Sequence, residues 1–354
     1  MINRRTLLAA AASVPTLALS QSGKEKLKYL QIGIGHPHAN KFEVYQASGD
    51  WEVVGLVEED PELQKKAKAS ELYSDVPLMT LEEGLNVKGL AAVGVETEIR
   101  DLLSYAEKAI DAGVSIHLDK PAGDSFEHYQ RIMKKADDAG LIVQMGYMYR
   151  FNPAIRLLHR MLDAGWLGEV FETHAVMSKV MSPESRAVID EFSGGTMFEL
   201  GCHIIDLTVG VLGKPDRIVP YSKRVLDSAE DSLQDNMLAV FEYTKATATV
   251  RSTAVEVDGF SRRHFAVCGT EGTCHIQPLD RPSMTLSLSK ERKFSGEETV
   301  YKKGRQEIKF EPPYQRYVGD AADFAATIRG EKENSYPSSH DLAVQDTVLK
   351  ASEM

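Results

Sequence analysis

Cysteine and tryptophan are scarce in this chain, with three and two in 354 residues. A scaffold stapled by several disulfides is therefore excluded, and any core must come from packed apolar side chains. Beyond the N-terminus no apolar run approaches the roughly 18 residues of a membrane span. Basic charge is also short: 41 Lys and Arg face 52 Asp and Glu, a net charge of −11, and no basic stripe is interleaved with aromatics. Nucleic acid is thus not an expected partner. Internal repeats are missing too. What is present is ample apolar content, 43% of residues, over a length suited to one very large domain or two ordinary ones.

Residues 1–23 stand apart. Met1-Ile2-Asn3-Arg4-Arg5 is short and basic, Thr6 to Leu19 is apolar and alanine-rich, and Ala18-Leu19-Ser20 offers a cleavage site of small residues. This is the pattern of an export signal, removed before the fold matters. Arg4-Arg5-Thr6-Leu7-Leu8 resembles a twin-arginine signal, with Asn3 where Ser or Thr is usual; an ordinary secretory signal is the alternative. The expected location is the periplasm. No cysteine follows the apolar segment, so a lipid or other membrane anchor is not expected. Of the three cysteines, Cys202 lies in an apolar run and reads as packing. Cys268 and Cys274 flank a turn, where a disulfide and two free thiols are both open.

From residue 24 to 147 strand-like and helical patterns alternate. The strands are Leu27–Ile32, Glu52–Val57, Leu90–Val95, Val114–Leu118 and Leu141–Met145. Helices over Ile99–Ala112 and Ser125–Ala139 stop at Gly113 and Gly140, where glycine ends a helix without strain. Such alternation predicts an α/β domain with a parallel sheet covered on both faces. From 148 to 354 the pattern changes to a helix over Pro153–Ala164, a strand over Glu169–Met177, an apolar helix from Met197 to Leu212, and short alternating runs from Ile218 to about Glu311. These runs predict a large open antiparallel sheet in an α+β domain, closed by two helices over Tyr314–Arg329 and Ser338–Ser352.

Leu27–Ile32 runs into Gly33-Ile34-Gly35-His36-Pro37-His38 and then a helical pattern. A strand, a glycine turn and a helix form the dinucleotide-binding arrangement: the first glycine makes the turn and the second lets the backbone reach the pyrophosphate. His38 stands where the third glycine belongs. Glu58 ends the next strand about 25 residues on, the position of the acid that binds the adenosine ribose. Glu59 and Asp60 follow it, which disfavours a 2′-phosphate and points to NAD over NADP. His36 and His38 also suggest a metal site. Pro37 reads better as a helix-start residue and the histidines as phosphate contacts or surface groups, so no metal is expected.

Glu199-Leu200-Gly201-Cys202-His203 places a carboxylate and an imidazole four residues apart on one helical face, with Asp206 further along it. Charges on a buried helix are costly unless partnered. Gly201, at about 1 kcal/mol against Ala, makes sense where a backbone or ligand comes close. The stretch describes the floor of a pocket.

Together these pieces resemble the Gfo/Idh/MocA oxidoreductase family over the whole chain from Leu27 onward. Asp119-Lys120-Pro121 is similar to the family's Glu-Lys-Pro motif, and residues 194–206 to the signature that opens its second-domain helix. The resemblance implies a Rossmann domain and an open-sheet domain, with NAD held by Gly33, Ile34, Gly35, His36, His38, Glu58, Thr97, Lys120 and Pro121. It implies that Lys120 contacts both the nicotinamide ribose and the substrate hydroxyl, that Arg150 faces the cleft, and that the sheet mediates a homo-oligomer. Interdomain packing is the alternative for Arg150. Four departures stand out: Glu199 for Asp, Asp119 for Glu, His38 for a small residue, and Thr97-Glu98 for Thr-Pro with Leu102 where His is common.

Oxidising an alcohol needs a hydride acceptor and a base. His203 is the natural base and Lys120 the stabiliser of alkoxide charge. Glu199 orients His203 or binds a neighbouring hydroxyl, and Asp206 braces the helix or contacts substrate. The expectation is an NAD-dependent oxidoreductase acting on a small sugar, cyclitol or related polyol. The alternatives are a redox-neutral glycoside hydrolase or lyase working through a transient keto-sugar, and a non-catalytic nucleotide-binding sensor.

Overall fold

The computed structural model describes residues 24–227 and 230–354. The export signal and its cleavage site fall outside the described residues.

Six strands form the first sheet: β1 (Leu27–Ile32), β2 (Trp51–Val57), β3 (Leu78–Met79), β4 (Leu90–Val95), β5 (Ser115–Leu118) and β6 (Val143–Met145). All pairs are parallel, in the order β3-β2-β1-β4-β5-β6. Such strands are buried on both faces and read as apolar runs. The order reverses between β1 and β4, and at that point the carboxyl ends of the strands open a crevice for a ligand. Local chemistry fixes the helices between them. Asp60 accepts from the N–H groups of Glu62 and Leu63, with Pro61 at the first position of the helix Pro61–Ala69. Ser125 caps Phe126–Ala139, and Gly140 ends it at φ +66°. β3 is a strand of two residues, too short to give a period in the sequence.

The second sheet holds β7 (Val170–Ser178), β8 (Arg217–Lys223), β9 (Asn236–Glu242), β10 (Thr247–Thr253), β11 (His264–Gly269), β12 (Gly272–Ile276) and β13 (Ser283–Leu288). Two short strands, β14 (Arg292–Lys293) and β15 (Val300–Tyr301), make a separate hairpin, and β16 (Gly304–Lys309) returns to the sheet edge. The sheet order is β16-β13-β12-β11-β7-β10-β9-β8. It is mixed, because β7 and β10 pair in parallel. Cys268 lies opposite Thr273, and Val267 opposite Cys274. Alternation therefore sends Cys268 and Cys274 to opposite faces, which rules out the disulfide, and all three thiols are free.

Two findings shape the cleft. The run expected as one helix begins with a π-helical turn over Met197–Gly201 and becomes α-helical over Cys202–Leu212. The helix Val318–Ile328, although late in the chain, packs on the first domain: Trp51 Nε1 donates to Ala321 O at 2.9 Å, and Gln144 Nε2 to Asp320 O at 2.9 Å. The last helix, Ser338–Ala351, lies against Cys202–Leu212 and Phe126–Ala139. The two domains are thus tied together behind the crevice.

Candidate active site

Gly33 ends β1 with φ +85°, and a Cβ there would lie 2.7 Å from Thr97 Cγ2 and 2.8 Å from Thr97 Cα. Only glycine fits, so the turn and the segment after β4 lie in contact. At Gly35 a Cβ would meet Glu98 Cγ at 3.1 Å. Glu58 Oε2 accepts the Ile34 N–H at 2.9 Å, and Oε1 accepts that of Asp60 at 3.0 Å. The acid after β2 is thereby held against the glycine turn. These residues fit a dinucleotide: a tight glycine turn at the switch point of the sheet, with an acid held beside it.

Lys120 is fully buried at the carboxyl end of β5, next to a cis peptide to Pro121. Its Nζ donates to the Glu199 main-chain oxygen at 2.9 Å and to Glu199 Oε1 at 3.0 Å. An ammonium has three donors, so one remains for another oxygen. Burial alone would raise the Glu199 pKa, but Lys120 and Lys179 pull it down to about 2. The π turn aims both the carboxylate and the carbonyl of Glu199 at one lysine. Gly201 does not make room for a ligand: a Cβ there would meet Met197 Sδ at 2.5 Å.

His203 is buried, with its ring 5.6 Å from that of Tyr149, 6.1 Å from Tyr147 and 6.0 Å from His38. Burial, followed by the charge of Lys120 and by His38, holds its pKa well below the usual imidazole value. Its Nδ1 has no hydrogen-bond partner among the described residues. The ring is neutral at ordinary pH, and its Nδ1 is open to a hydrogen bond from a ligand.

Arg150 and Asp206 meet each other, buried. Arg150 Nε donates to both Asp206 oxygens at 3.1 Å, and Nη2 to Asp206 at 2.6 Å and to Asp341 at 2.5 Å. His340 adds a contact to Asp206 at 3.3 Å. Both residues expected to touch substrate have their polar atoms engaged in an ion network with the last helix.

Several polar residues at the site carried no expectation. Lys41, fully buried, lies 2.7 Å from Glu96 and 3.3 Å from Asp119. Asp119 also meets His36 and His38. Burial would raise the Asp119 pKa, but His36 and Lys41 hold it well below the carboxylate range. Burial lowers His38 to about 4 against the opposing pull of Asp119. Two signals were available. Lys41 is three residues past His38, one helical turn away on the same face. Glu96 directly follows a buried strand at the end where open α/β sheets bind ligands.

A model of an oxidoreductase family with an NAD-binding Rossmann fold matches residues 27–147, and one of the GFO/IDH/MocA C-terminal domain matches residues 155–275. The chain belongs to the Gfo/Idh/MocA family. Among its relatives, scyllo-inositol 2-dehydrogenase (NAD(+)) of Bacillus subtilis is 26% identical over 63% of this chain and 65% of its own length. D-apiose dehydrogenase of Paraburkholderia graminis is 23% identical over 71% of this chain and 70% of its own. The chain spans just under two thirds of the length of the first curated relatives it matches, 65% and 64%. UDP-N-acetylglucosamine 3-dehydrogenase of Acidithiobacillus ferrooxidans superposes with a TM-score of 0.75 at 18% identity, covering 93% of this chain and 97% of that one. A Desulfitobacterium hafniense protein superposes with a TM-score of 0.77 at 19% identity, covering 93% and 95%. These structures share the Gfo/Idh/MocA fold.

Proposed function

We propose that this family member is an NAD-dependent oxidoreductase acting on a hydroxyl of a sugar, cyclitol or related polyol. The observation that carries it is the convergence of buried Lys120, paired with Glu199, and neutral His203 at the sheet's ligand-binding end. Curated relatives named for scyllo-inositol and D-apiose support the substrate class. Relatives named for NAD and for NADP both occur. Glu58, followed by Glu59 and Asp60, favours NAD here, because a 2′-phosphate beside these carboxylates is repelled.

The bound nicotinamide supplies the hydride acceptor. The chain's own residues do the rest. His203 accepts the hydroxyl proton on Nδ1, which has no partner among the described residues, and a bound substrate oxygen held by Lys120 is itself made easier to deprotonate. The remaining Lys120 donor holds the same oxygen as charge builds on it. Glu199, ionised by its pairing with Lys120, fixes the ammonium and balances its charge. Tyr147 and Tyr149 wall the imidazole and limit water.

Export to the periplasm through the N-terminal signal and assembly through the second sheet belong to the same proposal. Free NAD is not expected outside the cytoplasm, so the cofactor is expected to travel with the folded protein. The test is to purify the mature protein without added nucleotide, denature it, and assay released NAD and NADH. Stoichiometric release is the expected result. A protein that neither releases nor binds NAD or NADP would refute the enzyme reading.

A further inference from the structure

One end of the second sheet gathers cations around the hydride-transfer residues. Lys179 directly follows β7, Arg263 directly precedes β11, and Arg316 lies just before the helix Val318–Ile328. Arg263 is buried. Its Nε donates to the main-chain oxygen of Ser178, beside Lys179, at 3.1 Å, and its Nη1 to Asp280 Oδ2 at 3.1 Å. Arg316 donates to the other Asp280 oxygen, which also accepts from the Tyr149 hydroxyl at 3.1 Å. Tyr149 is the residue whose ring lies 5.6 Å from that of His203, so Asp280 and its two arginines stand behind a wall of the site.

The charges there do not balance. Lys120 and Lys179 both bear on Glu199, and Arg263 and Arg316 share Asp280. Four cations thus face two carboxylates. The groups around them add no free negative charge. Lys41 lies 3.3 Å from Asp119, and burial pushes Glu96 up to about 8, so it holds its proton at neutral pH. Glu256, between β10 and β11, pairs with Arg262 at 2.7 Å.

Lys179 is the cation left over. It is partly buried, and its ammonium makes no hydrogen bond or ion pair among the described residues. Burial lowers its pKa, Glu199 opposes that, and Lys120 and Arg263 add to it. At His203 the same two charges, behind burial, act in the same direction. Lys179, Arg263 and His203 therefore surround one space and feel one another's charge. A partly buried ammonium without an anion is costly, and an anion beside it removes that cost.

We propose that the polyol oxidised here carries an anionic group, a carboxylate or a phosphate, which Lys179 receives in the field of Arg263 and Arg316. This rests on the hydride-transfer reading above. The anion supplies the negative charge that the four cations lack, and its oxygens take the donors of the free ammonium. Lys120, joined twice to Glu199, keeps its third donor for the reacting hydroxyl. Lys120 and His203 thus serve the reacting carbon, and Lys179 selects the molecule that brings it. An ammonium is a point charge without the fork of a guanidinium, so it takes a carboxylate or a phosphate alike. A neutral polyol leaves the positive charge uncompensated and is the poorer ligand.

The test uses the full mature chain saturated with NADH, so that ligands bind without being oxidised. D-glucose and D-galactose are compared by calorimetry with D-glucuronate, D-galacturonate and a hexose phosphate. The acids are expected to bind roughly ten-fold or more tighter than their neutral parents, and the uronates and the phosphate tell the two anions apart. K179M narrows that ratio about ten-fold and K179R keeps it, whereas a merely structural lysine would weaken acid and parent alike. Circular dichroism verifies that K179M folds. The loss of the wild-type acid preference with added salt is a second reading that needs no variant. Equal or tighter binding of the neutral parents, an acid preference unchanged in K179M, or no binding by any acid would overturn the proposal. NADH formation from NAD is measured on the same panel. Neutral polyols oxidised without an acid preference would leave hydride transfer standing and remove this inference. Acids that bind through Lys179 and yield no NADH would do the reverse.

Discussion

Lys120 and Glu199 are joined twice, once through the carboxylate at 3.0 Å and once through the main-chain oxygen at 2.9 Å. The second bond ties Lys120 of the first domain to the backbone of a π turn in the second. Relative motion of the domains therefore moves the ammonium. E199Q leaves the main-chain bond and removes the charge balance. Turnover is expected to fall about 10- to 100-fold with NAD affinity near wild type, measured by initial rates and by nucleotide titration. Because Glu199 titrates near 2, no step in the pH–rate profile above about pH 4 belongs to it.

His203 gives a pH prediction with a definite sign. Its folded pKa lies well below its unfolded value, so between the two the unfolded chain binds the extra proton. The stability this group contributes is present above the unfolded value of about 6.5 and is lost as pH falls below it. H203N removes the loss. Urea unfolding at about pH 7 and pH 5 should show the variant gaining on wild type by about 1 to 2 kcal/mol at the lower pH. A constant difference would mean that the imidazole is not held neutral. The same variant should lose turnover by about 100-fold or more and keep NAD binding.

Arg150 separates a structural role from a substrate role. R150M leaves Asp206 and Asp341 buried without their cation, at a cost of about 3 to 5 kcal/mol in urea unfolding. If Arg150 instead binds substrate, KM rises and stability hardly moves.

Gly33 and Glu58 test the cofactor turn. G33A forces a Cβ into Thr97 and an unfavourable φ, with an expected cost of about 2 to 4 kcal/mol and loss of NAD binding, read by thermal unfolding and fluorescence titration. E58A removes the acceptor of the Ile34 N–H and the repulsion of a 2′-phosphate. NAD affinity should fall about ten-fold while NADP affinity holds or rises.

The strand-turn-helix of the first domain was legible because its signals are local: apolar runs for β1, β2 and β4, Gly33 at the turn, Gly140 at the helix end. Lys120 and His203 were singled out by residue type, spacing and family resemblance, and the structure buries both in the cleft. What was hidden depends on contacts distant in sequence. Nothing local marks Lys41 as a lysine that will be fully buried, since Glu96 after β4, Asp119 after β5, Gly146 after β6 and Tyr317 near the chain's end come together around it. Arg150 and Asp206 were both singled out, but their pairing with each other and with Asp341 of the last helix spans distances in sequence that no local pattern reveals. The π turn at Met197–Gly201 packs against β10, the last helix and β7, all distant in sequence, and no local signal marks it. The Cys268–Cys274 spacing was compatible with a bridge, and only the register of β11 on β12 places the two on opposite faces.

The most direct test of the central claim is nicotinamide reduction by the wild type and by K120M and H203A, offered NAD with a panel of inositols and aldoses. The account predicts NADH formation with at least one polyol by the wild type, and its loss in both variants while NAD still binds. Undiminished NADH formation by H203A or K120M would contradict it.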